Sequence, residues 1–217
     1  MKREELLQIA KPILFNTDMV RAILDGRKTV TRRCPSKRIE DKWFDYAEWV
    51  SAVKAPGSTS LTEKEFYEEY PPYHPGDILY VRETWGYGYH DGLYIYKADD
   101  KLANLPEFKE SSKLIYNPSI HMPKKAARVF LKVTGVRLER LQDMPHDGPL
   151  KEGIHYCECP DGFTWKSDTD MYNCYTTPMG CMKALWDSTI KKSDIDQYGW
   201  DANPWAWVIE FERVVEE

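Results

Sequence analysis

The chain has 217 residues, of which 42% are hydrophobic, 30% charged and 13% aromatic, enough apolar material for a buried core and a poor match to a disordered or fibrous chain. Thirty basic against thirty-five acidic side chains leave a formal charge of −5, which excludes a surface that coats nucleic acid over its whole extent but not a local basic face. A mean hydropathy of −0.62, with no apolar run near the roughly eighteen residues of a span, excludes a transmembrane helix. The opening Met1-Lys-Arg-Glu-Glu-Leu-Leu-Gln8 has no secretory hydrophobic region, so a cytoplasmic protein is expected.

Lys11-Pro-Ile-Leu-Phe15 is a short apolar run suited to a strand entering a sheet. Asn16 or Thr17 can cap the helix that follows, Asp18 falls in its positive first turn, and Met19, Val20, Ile23 and Leu24 form its apolar stripe. Gly26 sits where a left-handed helix cap belongs and predicts a sharp exit into Arg27-Lys-Thr-Val-Thr-Arg-Arg33. Residues 34–74 read as an insertion interrupted by Pro35, Pro56, Gly57 and Ser58, with a capping box at Thr62-Glu-Lys-Glu65 opening a short helix that stops before Pro71-Pro72.

Pro75-Gly-Asp77 turns the chain into a strand over residues 78–85, and Leu93-Tyr-Ile-Tyr96 is another. Residues 128–141 form a long strand in which Val129, Leu131 and Val133 share one parity, Val136 and Leu138 the other; the change at Gly135 predicts a bulge that bends the strand, as closing a small barrel requires. Residues 146–205 are a second insertion, mostly loop with one helix over 179–189, before a last strand that places Trp207, Ile209 and Phe211 on one face. The expected fold class is therefore α+β and β-rich: a small bent β-barrel of five or six short strands, with flanking short helices and two long insertions, in a single domain over 1–217.

Arg27, Lys28, Arg32 and Arg33, with Arg21 before and Lys37 and Arg38 after, make a basic stretch in an acidic protein, and Lys124, Lys125, Arg128 and Lys132 make a second. If both line one groove its field is positive despite the net charge; a solvated face of ordinary ion pairs is the plainer alternative. Side chains at i and i+3 point to opposite faces of a strand, so Lys28 and Thr31 can cooperate only if Gly26 turns the chain and Lys28 sits on that turn. A desolvated lysine beside a threonine can accept the hydroxyl proton and make it nucleophilic; otherwise Thr31 caps a turn and Lys28 binds a phosphate.

The run Gly26-Arg-Lys28-Thr-Val-Thr31-Arg-Arg33 resembles the Gly-x-Lys-x-x-Thr-x-Arg signature of ASCH domains, which have a PUA-like β-barrel. Lys11-Pro-Ile-Leu-Phe15, Pro75-Gly-Asp77, Lys151-Glu-Gly153 and the closing Trp207-Val-Ile-Glu-Phe211 follow the same pattern, so the likeness covers most of the chain apart from the insertions. As a whole it looks like the larger ASCH-domain proteins of bacterial and prophage gene sets. The resemblance implies two kinds of activity. A small bacterial member removes the acetyl group of N4-acetylcytidine with the motif's Lys and Thr and a later Glu, which fall on Lys28, Thr31 and Glu152; other members bind RNA, and some are ribonucleases. On the enzymatic path Lys28 is the base, Thr31 the nucleophile and Glu152 the group that positions or protonates the leaving amine.

Three further features bear on function. Glu83 shares parity with Leu79 and Val81 and so points inward, where it needs a partner, expected to be Lys28 or Arg33; Trp85 continues that parity and either stacks a base or packs in the core. His121, ahead of Lys124 and Lys125, either borders the same groove or is structural. Cys157, Cys159, Cys174 and Cys181 fall in one irregular segment and can hold a structural zinc, with His155 as a substitute ligand, or remain free thiols; the Cys-x-Cys spacing is not that of a familiar knuckle. No cofactor is otherwise required. The functions expected are binding of RNA, single-stranded DNA or a modified nucleoside through a basic groove around Gly26, Arg27, Arg32 and Arg33, with Lys124 contributing, or hydrolysis of an N4-acyl cytidine or of RNA without metal.

Overall fold

The structure, a computed structural model, describes residues 1–53, 60–87, 93–99, 116–159, 162–167, 173 and 175–215, with the side chains of 159, 162 and 163 outside the description. Pro56, Gly57, Ser58 and Cys174 lie outside the described residues. In chain order the elements are α1 (Arg3–Ile9), β1 (Lys11–Leu14), α2 (Thr17–Leu24), β2 (Val30–Arg33), α3 (Lys37–Val53), α4 (Glu63–Glu68), β3 (Ile78–Arg82), β4 (Trp85–Tyr87), β5 (Tyr94–Tyr96), β6 (Phe130–Arg140), α5 (Gly148–Lys151), β7 (His155–Cys159), β8 (Gly162–Lys166), α6 (Pro178–Thr189), α7 (Ile195–Tyr198) and β9 (Trp205–Val214), with short 3-10 turns between them.

Five strands form one mixed sheet in the order β1-β3-β6-β9-β2; β1 and β3 run parallel and the remaining pairs antiparallel. Two further pairs, β4 with β5 and β7 with β8, stand apart from it. The α+β, β-rich class is as expected, but among the described residues the sheet does not close into a barrel. Its edges, β1 and β2, are linked by one side chain, Arg33, whose Nη2 donates to the Leu14 carbonyl at 2.6 Å.

Local signals shape the elements. Asn16 caps α2 through the Met19 N–H, Gly26 adopts φ +74° at its exit, and Thr62 and Glu65 form the capping box of α4. In β6 the register against β9 shifts between Val133 and Gly135. Thr134 is thus the extra residue of a bulge, and Val133 and Leu138 both face the core although their parities differ. Trp207, Ile209 and Phe211 on β9 are buried in that core with Leu79, Val81 and Leu131.

Both insertions are more regular than expected. Within 34–74 lies the 17-residue helix α3; Ile39, Trp43 and Tyr46 recur at helical spacing and pack against the main core, with Trp43 and Tyr46 on the Phe66 ring. Pro35 lies just ahead of its first residue and so does not interrupt it. Within 146–205 the β7–β8 pair stands where loop was expected, while α6 falls where its helix was predicted. The single strand expected over 78–85 ends at Arg82, and Trp85 opens the separate strand β4.

Ile209 is wholly buried on β9, between β6 and β2. Ile209→Ala is expected to cost about 2–5 kcal/mol in urea unfolding, against about 1 kcal/mol for Thr62→Ala, which removes only the α4 cap.

Candidate functional site

The turn at Gly26 places Lys28 ahead of β2 rather than within it. Arg27 and Lys28 both donate their N–H groups to the Ala22 carbonyl, at 2.9 and 3.0 Å, and Lys28 forms an isolated antiparallel bridge with Glu152. On the facing segment, Glu152 is the C-terminal cap of α5 and Gly153 turns the chain with φ +102°. A side chain at 153 would sit 3.0 Å from Ala22 Cβ and 3.4 Å from Lys28 Cβ, so glycine is required both for the turn and for the approach.

This backbone pairing carries an ion network. Lys28 Nζ donates to the Glu152 carboxylate, and to the Glu152 carbonyl at 3.1 Å. Arg32 Nη1 donates to the other Glu152 oxygen at 3.1 Å, while its Nε and Nη2 grip Glu139 Oε1 at 3.1 and 2.8 Å. Of the two acidic candidates for Lys28, Glu152 is therefore the partner. Burial pushes the Lys28 amine below its ordinary value of 10.5; the Glu152 charge opposes that shift, and Arg33 and Arg32 reinforce it.

Thr31 is buried at 3% exposure on β2, opposite Ile209. No hydrogen bond joins its hydroxyl to Lys28 Nζ among the described residues; the amine is taken up by Glu152. The side chains of Lys28, Arg32 and Glu152 are 0%, 1% and 5% exposed, so the expected basic hollow is packed shut. This corrects the picture of an open groove around the amine and the hydroxyl.

The other candidates are dispersed. Glu83 is buried and held bidentately by Arg128, at 2.9 and 3.0 Å, rather than by Lys28 or Arg33; burial nonetheless raises its carboxyl above the usual range. Trp85 is 7% exposed and packs with Ile78 and Tyr80, the strand parity opposite to Leu79 and Val81, so it offers no open face for stacking. His121 is exposed in a short turn. Lys124 lies over the Tyr80 ring and reaches the Gln8 carbonyl at the α1 side.

Ion pairs take up charge in both basic stretches: Arg21 with Asp18, Arg27 with Asp25, Lys28 and Arg32 with Glu152, Arg128 with Glu83 and Asp99, and Lys132 with Glu212. His155 faces Arg27, its Nδ1 3.4 Å from Nη1. Cys181 is wholly buried in the cluster around α6, and Cys157 lies on β7; Cys174 and the Cys159 side chain are outside the described residues. Among the described residues no three His, Cys, Asp or Glu side chains converge as metal ligands.

The open space lies one step along β2. Arg33 and Trp207 are register partners on β2 and β9 and so share a sheet face. With Ser36, Arg38, Tyr70 and His74 they line a cavity of about 520 Å³, within the usual range of ligand sites. Glu69 is an acidic residue of its wall. Arg33 also stands over the Phe15 ring, 5.5 Å from its centroid. Of these groups the sequence pointed to Arg33; Arg38 was part of the basic run, whereas Tyr70 and His74 reach the cavity from the α4 side of the insertion, with no local pattern to mark them.

Lys28 holds its proton less tightly when folded than when unfolded, so its burial cost is present below the folded value and lifts as pH rises through the interval up to 10.5. The stability of the native chain relative to Lys28→Met is therefore expected to rise with pH across that interval. Urea unfolding at stepped pH checks this; a difference that stays flat would return Lys28 to an ordinary lysine. No protein-family model, curated protein or solved structure matches the chain.

Proposed function

We propose that this chain is a PUA-like, ASCH-type binding protein that takes a nucleotide unit, free or within single-stranded RNA or DNA, in the cavity between β2, the start of α3 and residues 69–74. The observation that carries the proposal is the pairing of two guanidinium groups with aromatic surface in one opening. Arg33 and Arg38 supply donors suited to a phosphate, and the part-exposed Tyr70 supplies an aromatic face suited to a base. The approach of the two sheet edges at Arg33 and the bulge at Gly135 favour the bent, barrel-like architecture that the ASCH resemblance implies. In this scheme Lys28, Arg32 and Glu152 anchor β2, and Arg33 at its end is the motif's contact with ligand.

Arg38 is exposed, with no hydrogen-bond or ion-pair partner among the described residues, so Arg38→Ala is expected to leave folding intact. In fluorescence anisotropy with short single-stranded RNA and DNA, and in competition with nucleoside monophosphates, affinity should fall steeply with salt. The substitution should flatten the log–log slope by about 0.7, one phosphate contact. Binding that is absent at low salt, or insensitive to salt, would reject the proposal.

A second activity, removal of an N4-acyl group from a cytidine-type nucleoside, requires the side chains packed over Thr31 and Lys28 to part and admit substrate; what favours it is that Lys28 and Glu152 meet, in a buried setting that lowers the amine pKa. In that chemistry the Thr31 oxygen attacks the amide carbonyl, Lys28 takes its proton, the C–N bond breaks, and the amine leaves protonated with Glu152 as its guide; water then releases the acyl group from Thr31. Cytidine release from N4-acetylcytidine, lost in Thr31→Ala with the fold retained, is the expected result. No release from any N4-acyl cytosine excludes the activity, and the RNA binding assays read strand cleavage at the same time.

A further inference from the structure

A second cavity, of about 150 Å³, lies on the other side of the first turn of α3, with Pro35 common to both. At about 30 Å³ per water it has room for roughly five water molecules. Its walls carry Glu40 and Phe44 from α3, Tyr67 and Glu63 from α4, Tyr198 from α7, and Arg140 with Trp205 from the sheet.

The charges in this space do not balance locally. Glu63 is committed: it accepts from Arg140 Nη2 at 3.3 Å and from Trp205 Nε1 at 2.8 Å, and Arg140 itself lies over the Trp205 ring at 4.1 Å. Glu40, 9% exposed, receives a hydrogen bond from the Tyr198 hydroxyl, and no cation pairs with it among the described residues. A buried carboxylate is costly without an opposite charge. The surroundings register its field. Burial and then Glu40 push the Cys34 thiol up to about 12; burial raises the Tyr198 phenol too, with Glu40 adding to it, and the Tyr67 phenol, with Glu63 and then Glu40 adding. Cys34 and Tyr198, on two different segments, thus both face the Glu40 carboxylate.

We infer that this cavity is a binding site for a small alkylammonium cation, held by the Glu40 carboxylate and the faces of Phe44 and Tyr198. The donor set points to this class. A divalent metal of the calcium or magnesium type takes six or more oxygens, and here one carboxylate is already paired with Arg140. An alkylammonium needs one carboxylate and aromatic faces, and the volume admits only a few heavy atoms. The site is independent of the nucleotide cavity, since it uses the opposite side of the α3 turn and charge of the opposite sign.

Isothermal titration of the whole chain with methylammonium and tetramethylammonium chloride, against potassium chloride at matched ionic strength, tests the inference, with tryptophan fluorescence as a second signal. Saturable binding of an alkylammonium beyond potassium is expected. Glu40→Gln, which can still accept from Tyr198, should weaken it by about tenfold or more, the scale of a lost charge-assisted hydrogen bond. Phe44 is 62% exposed, so Phe44→Ala should leave the fold unchanged and weaken binding about threefold through the lost cation–π face. Alkylammonium signals no larger than potassium's, or equal affinity in the native chain and Glu40→Gln, would overturn it. Neither result bears on nucleotide binding, which is read separately through Arg38.

Discussion

The pairing of Lys28 with Glu152 is the contact around which the rest of the sheet edge is arranged. It joins residues 124 positions apart and is possible only because Gly26 and Gly153 both turn with positive φ and Ala22 lets the two backbones approach. Thr29 completes the seam, donating to the Lys151 carbonyl and accepting from Phe211 N–H, each at 2.9 Å. An unpaired amine at this depth would be very costly, and so would an unpaired carboxylate; together, with Arg32 and Glu139 taking up the remaining bonds, they form a satisfied network.

That network sets the sign and position of what surrounds it. With the inner positive groups of the motif spent on Glu152 and Glu139, the strand presents one guanidinium, that of Arg33, at its open end. The chain then enters α3, whose first turn separates two cavities of opposite character: Arg33 and Arg38 on one side, Glu40 and Glu63 on the other. A formal charge of −5 therefore coexists with a basic pocket and an acidic one, to which Arg38 and Glu40 contribute from different sides of the same helical turn.

Features with local causes were legible in the sequence. Asn16, Gly26 and the Thr62–Glu65 box act within a few residues of themselves, and the parity change around Gly135 is written into β6 because a bulge moves every later side chain to the other face. The α3 helix is hidden in the sequence because the prolines at positions 35 and 56 outweigh the helical spacing of Ile39, Trp43 and Tyr46. Parity misassigned Trp85, since the chain leaves β3 at Arg82 and starts a separate strand, so alternation cannot be counted across the break.

The sequence by itself determined the α+β, β-rich class, the turn at Gly26 and the bend in the long strand, and it left Glu83 and Glu152 both open as partners of Lys28. Only the tertiary structure decided that the amine faces a carboxylate rather than the Thr31 hydroxyl, that Arg128 claims Glu83, and that the open volume lies beyond Arg33 instead of around Lys28. The reason is physical. Caps, turns and alternation are set by neighbours along the chain, whereas the partner of a buried charge is whichever opposite charge the packing brings within reach, and sequence distance puts no constraint on that choice.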